Sequence, residues 1–170
     1  MSREDRILQG LGLLRRNQLL TQMLDEAAAQ YLGINTTDGR ALDAIDQAGG
    51  RITAGDLARD LRLSTGAVTT IVDRLEKAGY AKRVADPGDR RRVLIEATRA
   101  VQKASAEIYG GPEDALTWAE GYTDAELAVL IRFHEQGNAW LEDRLARVQD
   151  MINRRGARYG KKRMHGKGRA

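Results

Sequence analysis

The sequence predicts a mainly helical α+β protein with one small β-hairpin. Three observations carry that expectation. Apolar residues recur at three- and four-residue steps along most of the chain. Alternation with a period of two is confined to residues 80–97. A turn sequence, Asp86-Pro87-Gly88-Asp89, sits inside that stretch; proline presets the backbone angle and glycine accepts a positive one.

The first helix is expected within residues 1–32. Ile7, Leu8, Leu11, Leu14, Leu20, Met23, Leu24, Ala27 and Tyr31 keep helical spacing. Gly10 and Gly12 each cost about 1 kcal/mol relative to alanine, so this helix should start weakly. Residues 33–37 read as a break. A second helix is expected from Asp38 to Ala48, capped by Thr36 or Thr37 and stopped by Gly49-Gly50, with Leu42 and Ile45 inward. Thr53 and Asp56 mark the start of a short third helix with Leu57, Ala58 and Leu61 on its apolar face. Ser64 caps a fourth, Thr65 to Ala78, burying Val68, Ile71, Val72 and Leu75 and stopped by Gly79.

The hairpin follows. Residues 80–85 and 92–97 form its strands, with Val93 and Ile95 on one face. From Arg99 the chain is helical to about Tyr109, then interrupted by Gly110-Gly111-Pro112. A short helix is expected over Glu113 to Ala119. Thr123 and Glu126 form a capping box before a long helix that buries Leu127, Leu130, Ile131, Leu141, Leu145, Val148 and Ile152.

Composition narrows the function. The chain has 170 residues and a formal net charge of +4. Residues 153–170 hold eight Lys or Arg and no acid, which leaves 20 basic against 24 acidic residues elsewhere. The basicity therefore belongs to the end of the chain, which reads as a disordered tail able to touch a polyanion. There is no cysteine, so thiolate catalysis, disulfides and cysteine-ligated zinc are excluded. His134 lies among apolar residues and reads as an interface side chain. Trp118 and Trp140 read as packing residues. The motifs of nucleotide-binding, zinc-protease and serine-hydrolase enzymes are absent, so no enzyme, cofactor or metal site is expected. No apolar run approaches the roughly 18 residues that span a bilayer. A cytoplasmic location without membrane contact is the expectation.

Short helix, tight Arg62-Leu63 turn, capped helix and basic hairpin is the layout of a winged helix-turn-helix. With Leu57 and Leu61 against one face of the capped helix, the other face offers Ser64, Thr65, Gly66, Thr69, Thr70, Asp73 and Arg74. Small polar residues let a helix enter a major groove closely, and Arg74 could reach phosphate or guanine. The hairpin tip carries Arg90, Arg91 and Arg92. Side chains alternate on a strand, so one arginine, Arg91, is expected in a minor groove and Arg90 or Arg92 on phosphate. Asp89 is expected to brace the wing by pairing with Arg91.

The stretch Leu63-Ser-Thr-Gly-Ala-Val-Thr-Thr-Ile-Val-Asp-Arg-Leu-Glu-Lys-Ala-Gly79, followed by Asp86-Pro-Gly-Asp-Arg-Arg-Arg-Val-Leu-Ile-Glu-Ala-Thr98, resembles the MarR family of transcription regulators. The Asp-Arg-Leu-Glu-x-x-Gly ending and the Asp89-x-Arg91 wing carry the resemblance. It departs at Ala97, where leucine is usual, and at Gly110-Gly111-Pro112, where a helix is commonly continuous. The resemblance implies an obligate homodimer, a pseudo-palindromic operator in double-stranded DNA, and repression. It also implies release by a small, often aromatic or anionic effector bound between the reading lobes and the dimer helices. The expected organisation is a dimerisation helix over residues 1–32, the winged helix-turn-helix over 33–98, dimerisation helices over 99–152 and the basic tail over 153–170. Leu8, Leu11, Leu130, Leu141, Leu145 and Val148 are the expected dimer contacts. Two other readings fit the same residues: a winged helix that grips an acidic protein partner, and a sequence-indifferent architectural DNA-binding protein driven by tail charge.

Overall fold

The computed structural model describes residues 1–89 and 91–166, with side chains described as far as Arg155. The chain divides into two compact units, Met1–Glu113 and Asp114–Ala170.

In the first unit α1 (Arg3–Leu32) is a single helix. Its start is firmer than its glycines suggest, because Ser2 and Asp5 form a reciprocal capping box: the Asp5 N–H donates to Ser2 Oγ at 3.0 Å and the Ser2 N–H to Asp5 Oδ2 at 2.8 Å. Gly33, at φ 68°, ends it in the left-handed conformation that glycine enters without penalty. Helix α2 (Thr36–Gln47) is capped by Asn35, whose Oδ1 accepts the Asp38 N–H at 2.9 Å. The expected caps, Thr36 and Thr37, lie inside the first turn instead; the asparagine carbonyl supplies the acceptor one residue earlier.

A three-residue strand, β1 (Arg51–Thr53), precedes α3 (Ala54–Leu61) and was not expected from the sequence. It is too short to show alternation and exists because β3 (Val93–Ala97) offers it an edge, with Ile52 opposite Ile95. Thr53 caps α3 as expected, accepting the Asp56 N–H at 3.1 Å. Arg62 closes α3 at φ 55°, the only non-glycine residue with positive φ among the described residues. Helix α4 (Thr65–Lys77) follows after Leu63 and Ser64. Strand β2 (Ala81–Ala85) pairs antiparallel with β3, giving the sheet order β1-β3-β2.

One core joins these elements. Ile45 of α2, Leu57 of α3, Val68, Val72 and Leu75 of α4 and Ile95 of β3 are its largest fully buried side chains. The four inward residues expected for α4 are all buried. Val93 corrects the hairpin expectation: it shares strand parity with Ile95 but is 53% exposed, because it lies at the tip end of the ribbon. Thr98 then ties α5 (Arg99–Tyr109) back, donating from Oγ1 to the Gly79 carbonyl at 2.7 Å.

The second unit starts inside α6 (Pro112–Ala119) and contains α7 (Asp124–Gly166). The expected capping box is present: Glu126 Oε2 accepts the Thr123 N–H at 2.8 Å. Two expectations for α7 need correction. Its apolar residues are not buried within the chain. Leu127 and Leu130 are half-buried, while Ile131, Leu141, Leu145, Val148 and Ile152 are exposed. The helix also runs past Asn153 to Gly166, where a disordered tail was expected. Arg, Lys and Met favour helix, and Asp150 pairs with Arg154 one turn on at 2.7 Å. Residues 167–170 of the expected tail lie outside the described residues. Trp118 and Trp140 are exposed rather than packed, Trp140 meeting the Arg144 guanidinium at 5.2 Å from the ring centre. His134 is also exposed, its ring edge-on to Phe133.

Candidate nucleic-acid interface

Burial of one face of α4 decides what its other face presents. Ser64, Thr65, Gly66, Thr69, Thr70, Asp73 and Arg74 are all exposed. Ser64 starts the helix, its Oγ accepting the Ala67 N–H at 3.3 Å. The Thr69 hydroxyl donates to the Thr65 carbonyl at 3.0 Å and the Thr70 hydroxyl to the Gly66 carbonyl at 3.2 Å. Their hydrogens are thus spent inside the helix, which leaves each hydroxyl oxygen only its lone pairs to offer as acceptors. A Cβ on Gly66 would meet nothing within 4 Å. The protein's own packing does not require glycine there; its small size leaves a smooth surface for whatever approaches.

The two charged residues on this face are held by the protein. Asp73 pairs with Arg83 of β2 at 2.7 Å, and Arg83 also pairs with Glu76. Arg74 turns back onto α2. Its Nε donates to Asp38 Oδ2 at 2.9 Å and its Nη2 to Asp38 Oδ1 at 2.5 Å. Sequence reasoning placed Arg74 among the groups free to reach DNA and overlooked Asp38. A signal was present: Asp38, Leu42 and Ile45 share one helical face, and an acid on an apolar face requires a partner. Asp73–Arg83 was also missed, since the partners lie on different elements with no local spacing to reveal them.

The wing tip is closed by its own acids. Asp86 Oδ1 accepts the Gly88 N–H at 2.8 Å, and Asp89 Oδ1 accepts the Arg91 N–H at 3.0 Å. Arg91 Nε stands 3.8 Å from Asp89 Oδ1, so the expected bracing acid and its arginine are together. The Arg91 side chain is nevertheless 95% exposed, and a pair that open adds little energy while leaving the guanidinium available. Arg92 Nε lies 3.7 Å from Asp86 Oδ2. Arg90, the third expected wing arginine, lies outside the described residues.

A cleft of about 770 Å³ opens within the first unit between α1, α2 and α5. Asp25, Glu26, Asp43 and Asp46 line it against a single guanidinium, Arg40. The Tyr109 hydroxyl donates to Asp25 Oδ1 at 3.1 Å, and burial with that hydrogen bond pushes its pKa up to about 12. Burial, then the Asp25 and Asp46 charges, raises the Asp43 carboxyl above its usual range.

Comparison with known proteins agrees with this architecture. A MarR family model matches residues 32–92. The uncharacterized HTH-type transcriptional regulator YcgE of Bacillus subtilis is 38% identical over 138 residues, covering 81% of this chain and 89% of that protein. The structure of a MarR family protein from Bacillus stearothermophilus superposes with a TM-score of 0.55 at 21% identity, covering 83% of this chain and 99% of the other. The Q18P mutant of MepR from multidrug-resistant S. aureus superposes with a TM-score of 0.59 at 18% identity, covering 76% and 94%.

Proposed function

The chain belongs to the MarR family, whose members are transcriptional regulators rather than enzymes, and from that premise we propose that it reads a specific operator as a homodimer. In this reading Ser64, Thr65, Gly66, Thr69 and Thr70 enter the major groove, where hydroxyl lone pairs accept from adenine N6 or cytosine N4 and methyls meet thymine. Arg91 enters the flanking minor groove, with Arg90 or Arg92 on phosphate. The observation that carries the proposal is the pairing of a neutral, small-residue helix face with an exposed arginine at the tip of a braced hairpin.

Dimerisation rests on the apolar faces that the chain leaves uncovered. Leu8 and Leu11 of α1, and Leu141, Leu145 and Val148 of α7, are exposed, and Leu130 is half-buried. Apolar surface on this scale marks an interface, and a second copy covers it. A two-fold dimer then places two α4 helices one DNA turn apart on a pseudo-palindrome. Occupancy represses by blocking transcription, in the cytoplasm; no described helix is long and apolar enough to cross a membrane. Release by a small molecule in the α1–α2–α5 cleft completes the reading, and the four carboxylates disfavour an anionic effector there.

Selection of bound sequences from random duplexes tests the proposal. The expected result is two symmetric half-sites about one helical turn apart. Enrichment of no sequence, with retention that depends on salt alone, would support the architectural reading, and no retention would support the protein-binding one.

A further inference from the structure

We propose that Arg74, although it stands on the exposed face of α4, is a positioning residue that fixes α4 against α2 through Asp38 and does not itself contact DNA. The inference rests on the DNA-reading function proposed above. The Asp38 side chain is only 3% exposed, whereas that of Arg74 is 45% exposed. Both carboxylate oxygens are occupied, Oδ1 by Nη2 of Arg74 and Oδ2 by its Nε and by Asn35 Nδ2 at 2.9 Å. If Arg74 swung out to a phosphate, a carboxylate removed from water would keep a single amide donor. Uncompensated buried charge is strongly unfavourable. The exposed partner is therefore held by the needs of the buried one.

The geometry also suits a strut. Two parallel N–H···O bonds from a planar guanidinium fix direction as well as distance, which one ammonium group cannot do. Arg74 lies one turn beyond Thr70, about 6 Å along the helix axis. Asp38 lies in the first turn of α2, just after its Asn35 cap. Pivoting α4 at Arg74 would displace the Ser64–Thr70 end that meets the bases.

Affinity and salt dependence on a selected duplex distinguish strut from reader, using Asp38→Asn, Arg74→Gln, Arg74→Lys and the Asp38→Asn/Arg74→Gln pair. The strut predicts that each single change weakens specific binding about tenfold. The double variant should be no weaker than either single one, and every salt slope should match the unaltered protein. Lysine should not rescue, because it keeps the charge but not the fork. A DNA contact predicts the reverse: Asp38→Asn frees the arginine and binds as well or better, Arg74→Lys retains affinity, and Arg74→Gln lowers the salt slope by about one per contact. Those results would overturn the inference. Should Asp38→Asn fail to fold by circular dichroism, the Lys and Gln variants decide alone. Failure of the unaltered protein to prefer any duplex would refute the function and leave the strut to a DNA-free readout. Arg74→Lys should then shift the amide resonances of Ser64–Thr70, and unmoved resonances would overturn it.

Discussion

Arginine does two different jobs in the reading unit, and the surroundings of each side chain decide which. Arg74 and Arg83 are committed to carboxylates of the protein. Arg91 has only an open, 3.8 Å approach to Asp89 and remains in water. Replacing Arg91 by alanine should therefore leave the melting curve within about 0.5 kcal/mol of the original, as for exposed sites generally. Operator affinity should fall through loss of the minor-groove contact. Unchanged affinity in a mobility-shift titration would contradict the wing assignment. The threonines make a complementary prediction. Thr70→Val keeps the methyl and removes the hydroxyl lone pairs, so it should alter base preference across a library of operator variants while leaving the salt slope alone. An identical preference would mean that Thr70 does not face a base.

At the scale of elements, the sheet is fastened from its solvent side by Glu96. Arg51 of β1 reaches it at 2.7 Å and Lys82 of β2 at 2.8 Å, so one carboxylate on the central strand ties both neighbours. The hydrogen bond from Lys82, with the Arg51 charge, holds the Glu96 carboxyl below its ordinary value of 4.5. A lowered acid pKa contributes stability above the unfolded-state value and loses it as pH falls through the folded-state one. Glu96→Gln should accordingly lower stability to urea at about pH 7 and cost less at an acidic pH low enough to protonate the folded-state carboxyl. Equal loss at both pH values would show that the clamp is not electrostatic. The same elements show what local pattern reveals. Thr53, Ser64 and Gly79 mark boundaries that their own side chains or backbone angles create, and these were legible in the sequence. Strand β1 was not, since three residues acquire strand geometry only from a partner more than 40 residues away. The Asn35 cap was hidden because two threonines beside it offered the same chemistry.

For the whole molecule, the apolar pattern announced the long helices but not what covers them. Periodicity says that Leu141, Leu145 and Val148 share a face; it does not distinguish burial in one's own chain from burial in another. Here the chain leaves them exposed, as it does Leu8 and Leu11. The reading as an interlocked dimer predicts a sedimenting species of twice the 18.8 kDa chain mass. Leu145→Glu should shift it toward monomer and weaken operator binding together, because each half-site then binds alone. A monomeric starting protein with full specificity would contradict the dimer reading. The central claim, that α4 and the wing read DNA together, is tested most directly by hydroxyl-radical footprinting on a selected duplex, comparing the unaltered protein with Arg91→Ala. The account predicts symmetric protection about one helical turn apart, with flanking minor-groove protection that disappears in the variant while the central pattern persists. A footprint without symmetry, or flanks indifferent to Arg91, would contradict it.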